Sequence, residues 1–155
     1  MGQPRVNDLK ALEDWAGGLL AKLTPAERRR MTQSVARDLR KSQQQRITAQ
    51  RNPDGTPYAP RKPGSLRSKK GRIKRKMFTR LRTAKHLKLQ SNASAVGLAF
   101  MSRTARLARV HQYGLRDRPR PKSPQVQYPQ RQLLGFSSAD LDMVRDRLLD
   151  HLSDL

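Results

Sequence analysis

The sequence predicts an α+β fold, in which a small antiparallel sheet of about three strands packs against N-terminal, central and C-terminal helices. Apolar residues recur at helical spacing near both ends of the chain, which indicates amphipathic helices. Between residues 87 and 100 the apolar spacing changes to every second residue, which is typical of strands. A chain of 155 residues with 35% hydrophobic and 5% aromatic residues suits one small aliphatic core. We therefore expect a single domain over residues 1–155, with a mobile basic loop at about residues 56–76.

Two helices are predicted in the first third of the chain. The first has leucines and alanines at helical spacing from Leu9 to Leu23. The second begins at a strong start signal: Thr24 can cap it, Pro25 suits its first position, and the Glu27 side chain can reach back to the cap amide. This second helix is expected to run toward residue 51.

A turn and a long loop follow the second helix. The Asn-Pro-Asp-Gly sequence at residues 52–55 stops the helix, because each of these residue types favours turns. Residues 56–76 combine prolines and glycines with basic side chains and few apolar ones, which predicts the mobile loop. A short helix is then indicated by Phe78, Leu81 and Ala84, which would lie on neighbouring turns.

The middle of the chain predicts strands. Apolar residues alternate with others at residues 87–90 and again at 96–100, and the short polar stretch at 91–94 would join the two as an antiparallel hairpin. A third short strand is predicted at residues 126–128, after a proline-rich loop.

Two more helices complete the prediction. Ser102 is expected to cap the third, which Gly114 would end. Ser137 and Asp140 form the start signal of the C-terminal helix. One face of that helix either completes the core or forms an assembly interface, and it consists of Leu141, Val144, Leu148 and Leu152. Another face is an acidic stripe that faces solvent or a partner, and it consists of Asp142, Asp146 and Asp150.

Charge is the most extreme property of the chain. The net charge is +22, and residues 55–116 contain 17 Lys or Arg and no Asp or Glu. Such a region predicts contact with a polyanion or an acidic partner. The predicted contact residues lie in the basic loop and along the third helix: Lys69, Lys70, Arg72, Lys74, Arg75, Lys76, Arg103, Arg106 and Arg109. The loop has no aromatic residue between Arg61 and Lys76 on which bases could stack, so phosphates and acidic protein surfaces are equally good partners.

No catalytic, cofactor or metal site is predicted, and we do not expect an enzyme. The chain has no cysteine, and its three histidines, at positions 86, 111 and 151, lack the spacing of paired metal ligands. Neither a phosphate-binding glycine loop nor a nucleophile elbow is present. His111 is interpreted as a buried hydrogen-bonding residue at a helix end rather than as an acid or base. No apolar run approaches the roughly 20 residues that span a membrane, so a role in the cytosol is expected.

Several motifs of low charge, in the same order along the chain, resemble the tailed-phage virion morphogenesis family. They occupy residues 42–47, 50–58, 76–78, 81–82, 106–114, 128–137 and 139–140. The resemblance implies a non-catalytic structural protein of the virion that completes the tail and takes part in tail assembly and head-to-tail joining.

The same resemblance implies where the protein acts and with what. It implies a ring at the neck or upper tail end, built from copies of this chain and in contact with other tail and neck proteins, after assembly in the host cytoplasm. Contact with packaged DNA is possible in such a ring, and no membrane or cofactor is expected. The alternative from composition alone is a sequence-neutral nucleic-acid-binding protein that acts through its basic centre.

Overall fold

A computed structural model of the chain describes residues 6–62 and 76–154. Within these ranges it has four helices and four strands. In chain order they are α1 (Val6–Leu20), α2 (Pro25–Thr48), β1 (Leu87–Ser91), β2 (Val96–Phe100), α3 (Ser102–Tyr113), β3 (Arg116–Asp117), β4 (Val126–Gln127) and α4 (Ser138–Ser153). The α+β fold is confirmed. Instead of one sheet of about three strands, the described part of the chain has two separate antiparallel sheets of two strands each.

The start of α2 is as predicted, and its end comes earlier. The backbone N–H of Glu27 donates to Thr24 Oγ1 at 3.3 Å, and the N–H of Thr24 donates back to Glu27 Oε2 at 2.8 Å, so the capping box is complete. The helix ends at Thr48, because Gln50 has a φ of 58° and this left-handed conformation cannot continue an α-helix.

The predicted hairpin is confirmed, and the predicted third strand pairs elsewhere. Strands β1 and β2 are antiparallel, with Leu87 opposite Phe100 and Ser91 opposite Val96. Strand β4 pairs with β3 instead of extending this hairpin. Strand β3 has only two residues, which is too short for apolar and polar residues to alternate visibly. The sequence therefore does not predict it.

Two local predictions are wrong. Residues 78–84 form a series of turns instead of a short helix. Phe78 has a φ of 64°, which is not helical, and the hydrogen bonds that follow change from i−4 spacing, Arg82 to Phe78, to i−3 spacing, Thr83 to Arg80. The N-cap of α3 is Met101, which makes no side-chain cap bond, and Ser102 is the first residue inside the helix. Most of the predicted basic loop, residues 63–75, lies outside the described residues.

The buried apolar residues form two clusters. The first cluster joins α2, α3 and the irregular segments, and it contains Ile47, Tyr58, Met77, Leu81, Ala108 and Leu133. The second lies between α1, α2 and α4, and it contains Leu23, Met31 and Leu148, with Ala16, Leu20, Val144 and Leu152 packed at its edge. The apolar face of α4 therefore completes the core of its own chain.

Candidate functional site

Residues 131–135, which we call the clamped segment, have no regular secondary structure, yet all five of their backbone N–H groups are hydrogen-bonded. The N–H of Arg131 donates to the carbonyl of His111, at 2.7 Å. The other four donate to side chains of Asn52, Gln112 and Gln43, at distances from 2.8 to 3.2 Å. Side chains from distant parts of the chain thus take the place of a neighbouring strand.

Gln112, in the last turn of α3, makes the most contacts with this segment. Its Oε1 accepts hydrogen bonds from the N–H groups of Leu133, at 2.8 Å, and Leu134, at 3.0 Å. Its Nε2 donates to the carbonyl of Leu134 at 2.8 Å. One amide side chain therefore satisfies three backbone groups beside Leu133, which is fully buried.

The turn after α2 holds the segment from the other side. Asn52 Oδ1 accepts from the N–H of Gln132 at 2.9 Å, and the hydroxyl of Tyr58 donates to the carbonyl of Gln132 at 3.1 Å. Burial raises the pKa of Tyr58 to about 12, so this hydroxyl keeps its proton and remains a donor.

Arg131 is a buried cation whose hydrogen bonds go to uncharged acceptors. Its guanidinium donates to the carbonyls of Ala59, at 2.7 Å, and Pro60, at 2.9 Å. The Nη1 atom lies 3.2 Å from His111 Nδ1. A guanidinium can only donate, so Nδ1 is the acceptor and the proton of the neutral imidazole sits on Nε2.

His111 is enclosed and neutral. The rings of Phe78 and Tyr128 contact it edge to face, with centroids 4.7 and 5.1 Å away. Burial, and after it the positive charge of Arg131, lower the pKa of His111 from 6.5 to about 4. This agrees with the interpretation of His111 as a buried hydrogen-bonding residue.

A buried ion pair ties α2 to the start of α4. Asp140 is 2% exposed, and its Oδ2 accepts from the N–H of Ser137 at 2.9 Å and lies 3.7 Å from Arg46 Nη1. Arg46 also donates through Nη2 to the carbonyl of Leu133 at 3.0 Å. The start signal of α4 predicted the role of Asp140 as a cap, but no local pattern indicated its pairing with Arg46.

The motifs that meet at the clamped segment lie inside a range that matches a known family. The model of the phage virion morphogenesis family matches residues 7–153. The chain belongs to this family. It is also 42% identical, over 148 residues, to Tail completion protein S of Escherichia phage P2, and the aligned region covers 95% of this chain and 99% of that protein. No solved structure matches the chain.

The family motifs therefore hold the fold through their polar side chains, and they also leave two large aromatic residues on the surface. Tyr113, which follows Gln112, is 64% exposed, and Phe136, which follows the last residue of the clamped segment, is 42% exposed. Gly135, the last residue of the clamped segment, has no room for a side chain, since a Cβ there would lie 2.6 Å from Cγ of Pro53.

The predicted basic contact residues of this virion morphogenesis protein are only partly described. Arg103, Arg106 and Arg109 are exposed along α3, and Arg106 pairs with Asp117 at 2.5 Å. Arg103 and Arg109 have no ion-pair partner among residues 6–62 and 76–154. Lys76 is exposed. The remaining predicted contacts lie outside the described ranges: Lys69, Lys70, Arg72, Lys74 and Arg75.

The four predicted interface residues of α4 are buried or half-buried within their own chain. Leu148 is 3% exposed, and Val144 and Leu152 pack beside it within the same chain. Leu141 is half-buried. On the opposite side of the helix, Asp142, Asp146 and Asp150 are exposed, as expected for the acidic stripe.

Two classes of feature are not found in the described part of the chain. No group of three or more His, Cys, Asp or Glu side chains is placed to hold a metal ion there. None of the helices in that part combines the length and the apolar character that crossing a membrane requires.

Proposed function

We propose that this chain is a structural subunit of a phage tail that completes the upper end of the tail and takes part in joining it to the head. The observation that carries the proposal is the 42% identity over nearly the whole length of Tail completion protein S of Escherichia phage P2. The polar side chains of the family motifs support a structural role, because those of Gln43, Arg46, Asn52 and Gln112 are engaged in holding the clamped segment.

The proposed assembly is a ring of copies of the chain at the neck or upper tail end. Its support is that exposed arginines lie on α3 while exposed aspartates lie on α4. Surfaces of opposite charge on different elements favour head-to-tail contacts, and such contacts form a ring when the rotation between neighbours closes.

In this ring the basic loop and the α3 arginines contact acidic neighbours or packaged DNA. Arg103 and Arg109 support this assignment, since neither has an ion-pair partner within the described ranges. The alternative is that the chain is a monomeric protein that binds nucleic acid through its basic centre. In that case the purified protein will stay monomeric in the presence of tail tubes, and its affinity for duplex DNA will fall steeply as the salt concentration rises. That result would favour the nucleic-acid-binding alternative.

The test is to neutralise the basic loop in the phage that encodes this chain. The variant replaces six residues with glutamine: Lys69, Lys70, Arg72, Lys74, Arg75 and Lys76. We expect wild-type melting of the purified protein, a lower infectious titre, and separate tails and filled heads in electron micrographs.

A matched control removes the same charge from α1, α2 and the turn between them. It replaces six exposed basic residues with glutamine: Lys10, Lys22, Arg29, Arg30, Arg37 and Lys41. Its titre should stay close to that of the wild type. An unchanged titre in the loop variant would show that the loop has no part in joining.

A further inference from the structure

A groove of about 810 Å³ lies between α3, the turns that follow residue 76, and the end of β4. Its apolar lining includes Phe78, Leu81, Leu107 and Val126. Its cationic rim, in which every side chain is exposed, consists of Arg61, Lys62, Lys76 and Arg80. We call this the cationic groove.

The charges of the cationic groove have no counterpart in the described part of the chain. No Asp or Glu is among the described residues that line it. None of the four rim cations forms an ion pair within residues 6–62 and 76–154. Leu107 is 46% exposed in the groove, so apolar surface is open to solvent beside unpaired positive charge. The chemistry that fits is an apolar side chain flanked by carboxylates.

The outer face of α4 carries this chemistry. Leu149 is 46% exposed and points away from the core that contains Leu148. Asp146 precedes Leu149 by three residues, so both lie on one side of the helix, and Asp142 is one turn further back. Asp150 follows directly and is also exposed.

The net charge of this face of α4 is negative even when the ion pairs within the helix are counted. Arg145 lies 3.3 Å from Asp142 and 3.8 Å from Asp146, so one cation is shared by two carboxylates. Asp150 has no ion-pair partner in the described ranges. The face therefore offers a leucine surrounded by a net acidic surface.

Within the described part of one chain, the outer face of α4 does not contact the cationic groove. Helix α4 packs against α1 and α2, whereas the cationic groove is bordered by α3. We propose that the cationic groove binds the outer face of α4 of a second copy, with Leu149 on the apolar lining and the aspartates beside the rim cations. Groove and helix are different surfaces, so the contact is head to tail and repeats from copy to copy. The inference rests on the proposed ring and names its interface.

The first experiment locates the contact by photo-crosslinking. A benzoylphenylalanine at position 149 of the full chain is irradiated during tail assembly, and the products are digested and sequenced by mass spectrometry. We expect a crosslinked dimer in which the second peptide contains groove residues such as Leu81, Leu107 or Val126. The same probe at Trp15, which is 38% exposed on α1, is the control and should not reach the groove.

The second experiment exchanges charges across the contact. The variants Asp146→Lys with Asp150→Lys, and Lys76→Glu with Arg80→Glu, should each weaken self-association by about tenfold or more in sedimentation velocity. Mixing the two variants should restore association, because the reversed charges are again complementary. Asp14→Lys, on the exposed side of α1, is the control and should associate like the wild type.

The outcomes separate this inference from the proposed function. A dimer crosslinked outside the groove, or unchanged association of both charge variants, would contradict the docking of α4 in the cationic groove. Neither result would contradict the proposed ring. A wild-type chain that forms no oligomer, alone or on tails, contradicts the ring itself. If Lys76→Glu with Arg80→Glu abolishes retention of duplex DNA and leaves self-association unchanged, the groove is a nucleic-acid surface and the inference fails.

Discussion

Arg131 Nη1 lies 3.2 Å from His111 Nδ1, and both side chains are less than a tenth exposed. The guanidinium fixes which nitrogen of the imidazole carries the proton. A proton added at Nδ1 would remove this hydrogen bond and place two buried cations side by side. The pair is therefore stable only while His111 is neutral.

The first prediction is that this pair makes the protein less stable in weak acid. The pKa of His111 is about 4 in the folded chain and 6.5 for an ordinary histidine, so the unfolded state binds a proton first as the pH falls. Stability is thus fully present above pH 6.5 and is lost progressively toward pH 4. His111 should account for roughly 2 kcal/mol between pH 7.5 and pH 4.5.

The measurement is urea unfolding at these two pH values for the wild type and His111→Gln. Glutamine keeps an acceptor for Arg131 but does not titrate, so the variant should lose less stability on acidification. Equal losses in both proteins would mean that His111 does not carry the acid sensitivity.

The second prediction concerns the buried pair of Arg46 and Asp140. Asp140→Asn should lower the free energy of unfolding by about 3 kcal/mol, because it leaves the guanidinium buried without its counter-charge. Asp142→Asn, an exposed change on the same helix, should stay within about 0.5 kcal/mol of the wild type. Chemical denaturation of both variants checks this, and similar midpoints for the two would contradict the role of the pair.

The third prediction is that Gln112→Ala destabilises the clamped segment. It removes three hydrogen bonds and leaves the N–H of the buried Leu133 without its acceptor, which should cost about 2 kcal/mol. The amides of Leu133 and Leu134 should also exchange hydrogen faster. Gln33→Ala, at an exposed position of α2, provides the control and should leave both amides protected.

The fourth prediction compares two glycines. Gly135→Ala should cost about 1–3 kcal/mol, because the new Cβ would meet the rigid ring of Pro53 at 2.6 Å. Gly17→Ala has open space in the helix α1 and should gain about 0.5–1 kcal/mol. Thermal unfolding should therefore shift in opposite directions, and a shift of the same sign in both would contradict the close approach at Gly135.

Local signals in the sequence predicted local structure well. The capping boxes at Thr24 and Ser137 each depend on two residues three apart, and both form as expected. The hairpin was predicted because alternation extends along both of its strands. The left-handed conformation of Phe78 has no such signature, since it is a bulky residue that rarely adopts positive φ.

The candidate site was predictable only in part. The sequence alone shows the motifs around Gln112 and Leu133. It does not predict their contacts with each other and with Asn52, because these contacts join parts of the chain that are far apart in sequence. No periodic pattern encodes such a contact, because single side chains bond to backbone in an irregular segment. The same holds for the cationic groove, which brings together residues from four separate stretches of the chain.

The last prediction compares neighbouring leucines on opposite sides of α4. Leu148→Asp should lower the free energy of unfolding by about 3 kcal/mol or more, since it places an unpaired charge in the cluster with Leu23 and Met31. Leu149→Lys should stay within about 0.5 kcal/mol of the wild type, because this side chain is 46% exposed. Urea unfolding measures both changes.

The same two variants also separate folding from assembly. Leu149→Lys should remain folded yet self-associate more weakly in sedimentation velocity, because in the proposed interface it places a positive charge, instead of an apolar side chain, in the cationic groove. A Leu148→Asp protein with a wild-type midpoint would show that α4 does not pack on α1 and α2. A folded Leu149→Lys protein that assembles like the wild type would place the contact between copies on another surface.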